Sequence, residues 1–159
     1  NAPDSRSFQD ETIRLLKDVH MFDVLRADKT TAGAGLELRV PFFDKEFLKY
    51  YMGINPEQKV VRDGMEKYLL RKAFEDELPE EIVWRRKDGF SDGVSKAERP
   101  WYEIIDEYSR KKGYRNENDM YNTIFKKYYY GCDDIIPYNW MPKWTTGVGE
   151  NPSGRLIID

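Results

Sequence analysis

Prolines set the limits on what this chain can build. A proline inside a helix removes a backbone hydrogen bond and clashes with the preceding turn; in a central strand it leaves a ladder position without a donor. Pro3, Pro41, Pro56, Pro79, Pro100, Pro137, Pro142 and Pro152 therefore confine regular elements to the stretches between them. In those stretches apolar residues recur at helical spacing. Leu15, Val19 and Phe22 form one stripe, in a helix predicted over Glu11 to Ala27. Residues 1–10 read as a loop, with Ser7 as cap and Asp10 and Glu11 in the first turn. Leu36 to Phe43 alternates like a strand, but Pro41 bars a central strand, so a helix end or extended turn is expected. Asp44 caps a short helix through Tyr51, and Asn55-Pro56 marks a turn. Met65, Leu69, Ala73 and Phe74 form a second stripe, stopped by Pro79. Pro79-Glu80-Glu81 opens a short helix ending near Trp84. Further helices are predicted over Trp101–Ser109 and Met120–Tyr130, and an irregular tail from Pro137. The chain reads as mainly α, without a predicted strand.

Composition narrows the function classes. Charged residues make up 35% of the 159 and hydrophobic residues 40%, with a mean hydropathy of −0.80, so the core is thin for the length. The 8 Phe, 11 Tyr and 4 Trp are still too many for a disordered tail. A single cysteine, Cys132, excludes an internal disulfide framework and a cysteine-rich zinc site, and a single histidine, His20, excludes a His-rich one. The net charge of −3, with both signs interspersed, gives no argument for nucleic acid. No apolar run approaches the ~18 residues of a membrane span, and no secretory signal opens the chain. A reduced, soluble, cytoplasmic protein is expected, and no metal site is predicted within it.

Three sets of residues could carry chemistry. Continuing the stripe Leu15, Val19, Phe22 by four residues places Arg26 where an apolar residue belongs, with Asp23 beside it. The commoner outcome for such a pair is structural, an ion pair holding the helix to a neighbour. The functional alternative is a cleft wall in which Arg26 meets a phosphate or carboxylate. The second set is Arg85-Arg86-Lys87, running into Gly89 and Gly93. Most short basic runs are solvated turns; a phosphate-facing loop is the alternative, with glycine permitting close approach and lysine supplying a point charge. The third is Glu37 and Arg39, which at i, i+2 share a side only in extended backbone and read as a buried structural salt bridge. His20, Cys132 and Asp133-Asp134 show no spacing that builds a catalytic or metal centre.

Four blocks then carry a resemblance. Asp23-Val-Leu-Arg26-Ala-Asp-Lys-Thr-Thr, Gly35-Leu-Glu-Leu-Arg39-Val-Pro-Phe-Phe-Asp44, Met65-Glu-Lys67-Tyr-Leu-Leu-Arg71 and Trp84-Arg-Arg-Lys87-Asp-Gly-Phe90-Ser-Asp92-Gly-Val94 resemble, in order and spacing, the synthetase domain of glutamine-hydrolysing asparagine synthetases. The best match spans residues 16–94, and Asn151-Pro-Ser-Gly-Arg155 resembles the end of those proteins. The resemblance implies that residues 1–159 are the helical C-terminal part of one α/β, ATP-pyrophosphatase-like synthetase domain, whose parallel strands lie upstream. It implies that aspartate and ATP give β-aspartyl-AMP and diphosphate, and that ammonia then releases asparagine and AMP. Mg²⁺ would accompany the ATP, held mainly by segments outside this chain. Partners would be a glutaminase domain supplying the ammonia and a second copy of the intact protein.

Site roles follow position by position. Lys87 matches the lysine that stabilises charge at the α-phosphate and diphosphate, and Arg26 matches the cleft arginine that meets carboxylate or phosphate. Asp23 matches an aspartate near the aspartate and ammonia subsite; Glu37 and Arg39 match structural support of the cleft. Arg26 and Lys87 are thereby expected to face one anionic ligand. The family's Ser-Gly-Gly diphosphate loop and the glutaminase cysteine are not in this sequence. The chain alone is therefore expected to bind ATP weakly or not at all and to make no asparagine. Two other readings remain: a related carboxylate-adenylating enzyme of β-lactam synthetase type, and a non-catalytic helical binding module.

Overall fold

A computed structural model describes residues 2–87, 99–135, 138 and 140–144. They fall into two compact units, the first covering Ala2–Arg86 and the second beginning at Lys87. Among the described residues the regular structure is helical, with no strand beyond an isolated bridge between Arg62 and Met65.

The first unit opens with α1, Ser5–Asp18. Its cap is Asp4, not Ser7: the Asp4 carboxylate accepts the Ser7 amide at 2.7 Å and the Ser7 hydroxyl at 3.1 Å. The expected loop over residues 1–10 is thus helical from Ser5, with Pro3 just ahead of the cap. The Asp4 carboxyl is held below its usual value of 3.8, chiefly by the Ser7 amide.

The single helix expected over Glu11 to Ala27 is in fact two. Val19–Met21 tightens into a 3₁₀ turn and Phe22 leaves helical geometry at φ −121°, ψ −95°. The second helix, α2, spans Asp23–Gly33. The stripe that put Arg26 on the same face as Leu15 is therefore broken by a change of axis. Gly35, at φ +73°, then closes α2. Its amide bonds to the Ala32 carbonyl and that of Leu36 to Thr31, the left-handed cap that glycine enters without penalty.

Residues 36–40 run without regular structure into a 3₁₀ turn at Pro41–Phe43. Asp44 caps α3, Lys45–Gly53, accepting the amides of Glu46 and Phe47 at 3.0 Å, as the sequence predicts. Phe47 meets Phe42 edge-on at 5.6 Å and stacks on Tyr51 at 6.0 Å. Asn55 caps the turn Pro56–Gln58, which packs against α1. At that seam Lys59 is 95% buried. Its Nζ donates to Gln9 Oε1 at 2.6 Å and to the Tyr51 carbonyl at 3.2 Å, while Gln9 Nε2 donates to the Met52 carbonyl.

The unit closes with two short helices, α4 at Tyr68–Ala73 and α5 at Glu80–Val83. The predicted start of α5 at Pro79 and its end at Trp84 hold. Met65 does not extend the α4 stripe; it sits in the bridge to Arg62, across a turn with Asp63 and Gly64 at positive φ.

The second unit contains α6, Trp101–Lys111, and α7, Glu117–Tyr128. Pro100 starts α6 as expected, and both helices exceed their predicted length at one end. Asp106 joins them, accepting the Glu117 amide at 3.2 Å and Arg110 Nε at 2.9 Å. Ser109 and Glu117 are fully buried at this junction. Gly131 follows α7 at φ +77°, where the sequence puts its end. Of the tail from Pro137, the described residues form neither helix nor strand.

Apolar burial is sparse. Val83 and Met120 are the deeply buried apolar side chains among the described residues, whereas Leu36, Phe42, Val61 and Ile82 are more than half exposed. The thin core expected from composition is borne out.

Candidate functional site

Asp23 is the first residue of α2, where a carboxylate faces the helix's unsatisfied amides and positive end. Arg26 stands one turn later, and its Nη2 meets Asp23 Oδ1 at 2.5 Å. Both side chains lie in the open, at 76% exposure for Arg26 and 53% for Asp23. The pair is thus intrahelical. It does not clamp α2 to a neighbouring element, as the structural reading of the sequence had it. What it does is hold an exposed guanidinium through one of its nitrogens.

Glu37 and Arg39 do pair, at 3.0 Å, across the non-helical stretch 36–40 that brings i and i+2 to one side. The expected burial fails: Arg39 is 81% exposed and Glu37 74%. Nothing in the first unit covers this segment, because Pro41 turns the chain away into α3 before it can pair as a strand.

Lys87 lies three residues beyond Trp84 in an exposed, non-helical run with Arg85 and Arg86. Among the described residues no carboxylate pairs with Lys87. Gly89, Phe90, Ser91, Asp92 and Gly93, the rest of the predicted phosphate-facing loop, lie outside the described residues. Arg26 belongs to the first unit and Lys87 opens the second.

His20 Nδ1 is committed to the Lys17 carbonyl at 2.9 Å, and half-buried Cys132 bonds through its amide to Tyr129. Two shallow depressions are lined by Tyr102, Glu103, Asp106, Glu107 and Arg110, and by Glu46, Lys49, Tyr50, Gly53 and Ile54. Neither contains a residue the sequence singled out. Among the described residues no three His, Cys, Asp or Glu side chains gather to hold a metal ion. Among the described residues, the cations Arg26 and Lys87 are of the type that meets anionic oxygens, and the oxygen cage that Mg²⁺ requires is not formed.

Two cations escaped the sequence reading. Lys59 and Arg71 both serve backbone or amide oxygens inside the first unit. Neither sits at helix spacing from an acid it pairs with, the one local signal that charge pairing leaves in a sequence.

Comparison with known proteins adds to this geometry. The family model described as asparagine synthase matches residues 1–147, beyond the 16–94 segment that carries the densest motifs. The chain is 39% identical over 180 aligned positions to the asparagine synthetase [glutamine-hydrolyzing] of Bos taurus, covering 98% of this chain and 31% of that protein. The Rattus norvegicus protein of the same name is 41% identical over 175 positions, and that of Homo sapiens 38% over 180, with the same coverage. The chain thus spans 31% of the length of these curated relatives.

Proposed function

Since the chain belongs to the asparagine synthase family, we propose that it forms the C-terminal, helical part of a synthetase domain that makes asparagine from aspartate, ATP and glutamine-derived ammonia. The observation that carries this reading is identity near 40% along 98% of the chain with proteins named for that reaction. A separate glutaminase domain supplies the ammonia, and residues 1–159 form one synthetase domain together with a parallel-stranded nucleotide-binding half elsewhere in the complete polypeptide.

The chemistry proceeds in two displacements. A β-carboxylate oxygen of aspartate attacks the α-phosphorus of ATP, the bond to the diphosphate oxygen breaks, and β-aspartyl-AMP forms. Ammonia nitrogen then attacks the acyl carbon, AMP leaves with the bonding electrons, and the nitrogen loses a proton. In both, negative charge develops on phosphate oxygens.

Lys87 stabilises that charge at the α-phosphate and the departing diphosphate. Its exposed position, with no carboxylate paired to it among the described residues, supports this role. Arg26 meets the substrate carboxylate or phosphate with the donors that Asp23 does not occupy. Asp23 aims the guanidinium and faces the aspartate and ammonia subsite, while Glu37 and Arg39 support the cleft wall. When bound, Mg²⁺ would neutralise charge on the nucleotide, and segments outside these residues would hold it.

Aspartate-dependent exchange of labelled diphosphate into ATP by the complete polypeptide tests the assignment. Lys87→Ala is expected to lower the exchange rate by about 10²–10³-fold, the cost of deleting one transition-state charge contact, with the thermal midpoint unchanged. Exchange at the unmodified rate would remove Lys87 from the reaction.

A further inference from the structure

Arg71 gives its charge to peptide oxygens. Its Nε donates to the Glu66 carbonyl at 2.9 Å, and its Nη1 donates to the carbonyl of Val83. Glu66 lies just ahead of α4 and Val83 is the last residue of α5, so one guanidinium ties the entry of one helix to the exit of the next. The Val83 carbonyl is among those that a helix end leaves without an intrahelical partner. The planar fork of a guanidinium presents its donors at fixed, diverging angles that suit two such acceptors, where an ammonium is a compact point charge.

The surroundings fix the same place. Lys67, the residue between Glu66 and α4, is left-handed at φ 59° and ψ 29°, a conformation a non-glycine side chain keeps only where neighbouring contacts impose it. The Arg71–Glu66 bond spans that residue. Tyr68, at the start of α4, packs on Trp84 with ring centroids 5.5 Å apart, and the Arg62 guanidinium lies over the Tyr68 ring, 5.6 Å from its centroid. Burial falls off abruptly along the chain: Val83 is buried, Trp84 half-buried, and Arg85, Arg86 and Lys87 are exposed. The basic loop thus leaves from a point clamped by α4, and Lys87 stands four residues past the clamped carbonyl.

We propose that Arg71 is a positioning residue that holds the root of the Arg85–Lys87 loop through the Val83 carbonyl. Its consequence for catalysis rests on the role of Lys87 given above; the anchoring itself does not. Arg71→Lys and Arg71→Met are made in the complete polypeptide and read in two ways. In limited trypsin digestion followed by mass spectrometry, cleavage after Arg85, Arg86 and Lys87 rises about tenfold in both variants, the loop root being free. Cleavage after the exposed Lys111 and Lys112 stays unchanged. In aspartate-dependent ATP–diphosphate exchange, kcat falls on the order of tenfold to a hundredfold through misplacement of Lys87. KM for aspartate holds, and adding Arg71→Lys to Lys87→Ala lowers the residual rate no further.

Loop cleavage that is unchanged, or that rises equally at Lys111 and Lys112, overturns the anchor, because the first shows no release and the second shows general unfolding. If Arg71→Met does not fold, Arg71→Lys decides on the same criteria. If the loop is released but Lys87→Ala leaves exchange intact, the anchor stands and the catalytic reading of Lys87 falls.

Discussion

On the face formed by α2 and residues 36–40, Arg26 and Arg39 sit in the open against Asp23 and Glu37. In the seams between α1 and α3 and between α4 and α5, Lys59 and Arg71 point instead at amide and carbonyl oxygens. The two regions divide the work of charge. A solvated pair gains little because water competes for both partners, so its cation costs little to redirect toward a ligand. Buried Lys59, serving neutral oxygens, has lost its hydration and regains it only by unfolding, and half-buried Arg71 has lost part of it, so both fix architecture.

Lys59 gives the largest expected effect on stability. Lys59→Ala removes the donor to Gln9 and Tyr51 and leaves a gap beneath the Tyr51 ring, which the ammonium approaches to 5.2 Å. Urea titration is expected to show a loss of about 2–3 kcal/mol. Lys59→Met keeps the stem packing and should cost about 1 kcal/mol. A loss under about 0.5 kcal/mol in Lys59→Ala would erase the contrast between seam and surface.

The same seam has a pH signature. Burial pushes the Lys59 ammonium below its ordinary 10.5 and the Tyr51 phenol above its ordinary 10.0. For Lys59 the unfolded chain binds the proton more tightly, so the penalty for burying charge is fully present below the folded-state pKa. It is relieved as pH rises from that value toward 10.5. The wild type should therefore gain stability relative to Lys59→Met in that window. The comparison is read below pH 10, where the Tyr51 phenol has yet to ionise in either state. A difference that stays flat with pH would show that Lys59 pays no desolvation.

Asp44 is the acidic counterpart, a carboxylate given to the amides of Glu46 and Phe47. Asp44→Ala should cost about 1 kcal/mol, as loss of a helix cap does, with helical circular dichroism falling in parallel. Asp44→Asn should recover most of it.

What the sequence revealed follows the range of the interactions. The cap at Asp44, the turn at Asn55-Pro56 and the helix starts after Pro79 and Pro100 depend on residues within three positions, and all are where the pattern puts them. The break at Val19–Phe22 carries neither glycine nor proline, and an apolar repeat of i, i+4, i+7 survives a one-turn interruption, so the helix read as continuous. Glu37 and Arg39 were legible as partners because pairing at i, i+2 is local; their burial was not, because burial depends on what other segments cover. Lys59 reaches Gln9 across 50 positions and Arg71 reaches Val83 across 12, and no local pattern announces either. The candidate site divides likewise: motif spacing singled out Arg26 and Lys87, whereas the bond from Arg71 to the Val83 carbonyl, ahead of the basic run, emerged only from the structure.

The smallest effects belong to the exposed pairs, and they sharpen the comparison through salt. A double-mutant cycle with Asp23→Asn and Arg26→Gln isolates the pair from the carboxylate's separate benefit at the start of α2. The coupling is expected at about 0.3–0.5 kcal/mol, and that of Glu37 with Arg39 lower still, because its contact is longer and both side chains are more exposed. At 1 M salt the Debye length shrinks to about 3 Å and both couplings should vanish. The Lys59–Gln9 coupling should persist there, because a buried bond to a neutral amide is not screened. An Asp23–Arg26 coupling that survives 1 M salt would mean the pair is shielded from solvent, and would move Arg26 from the ligand-facing class to the architectural one.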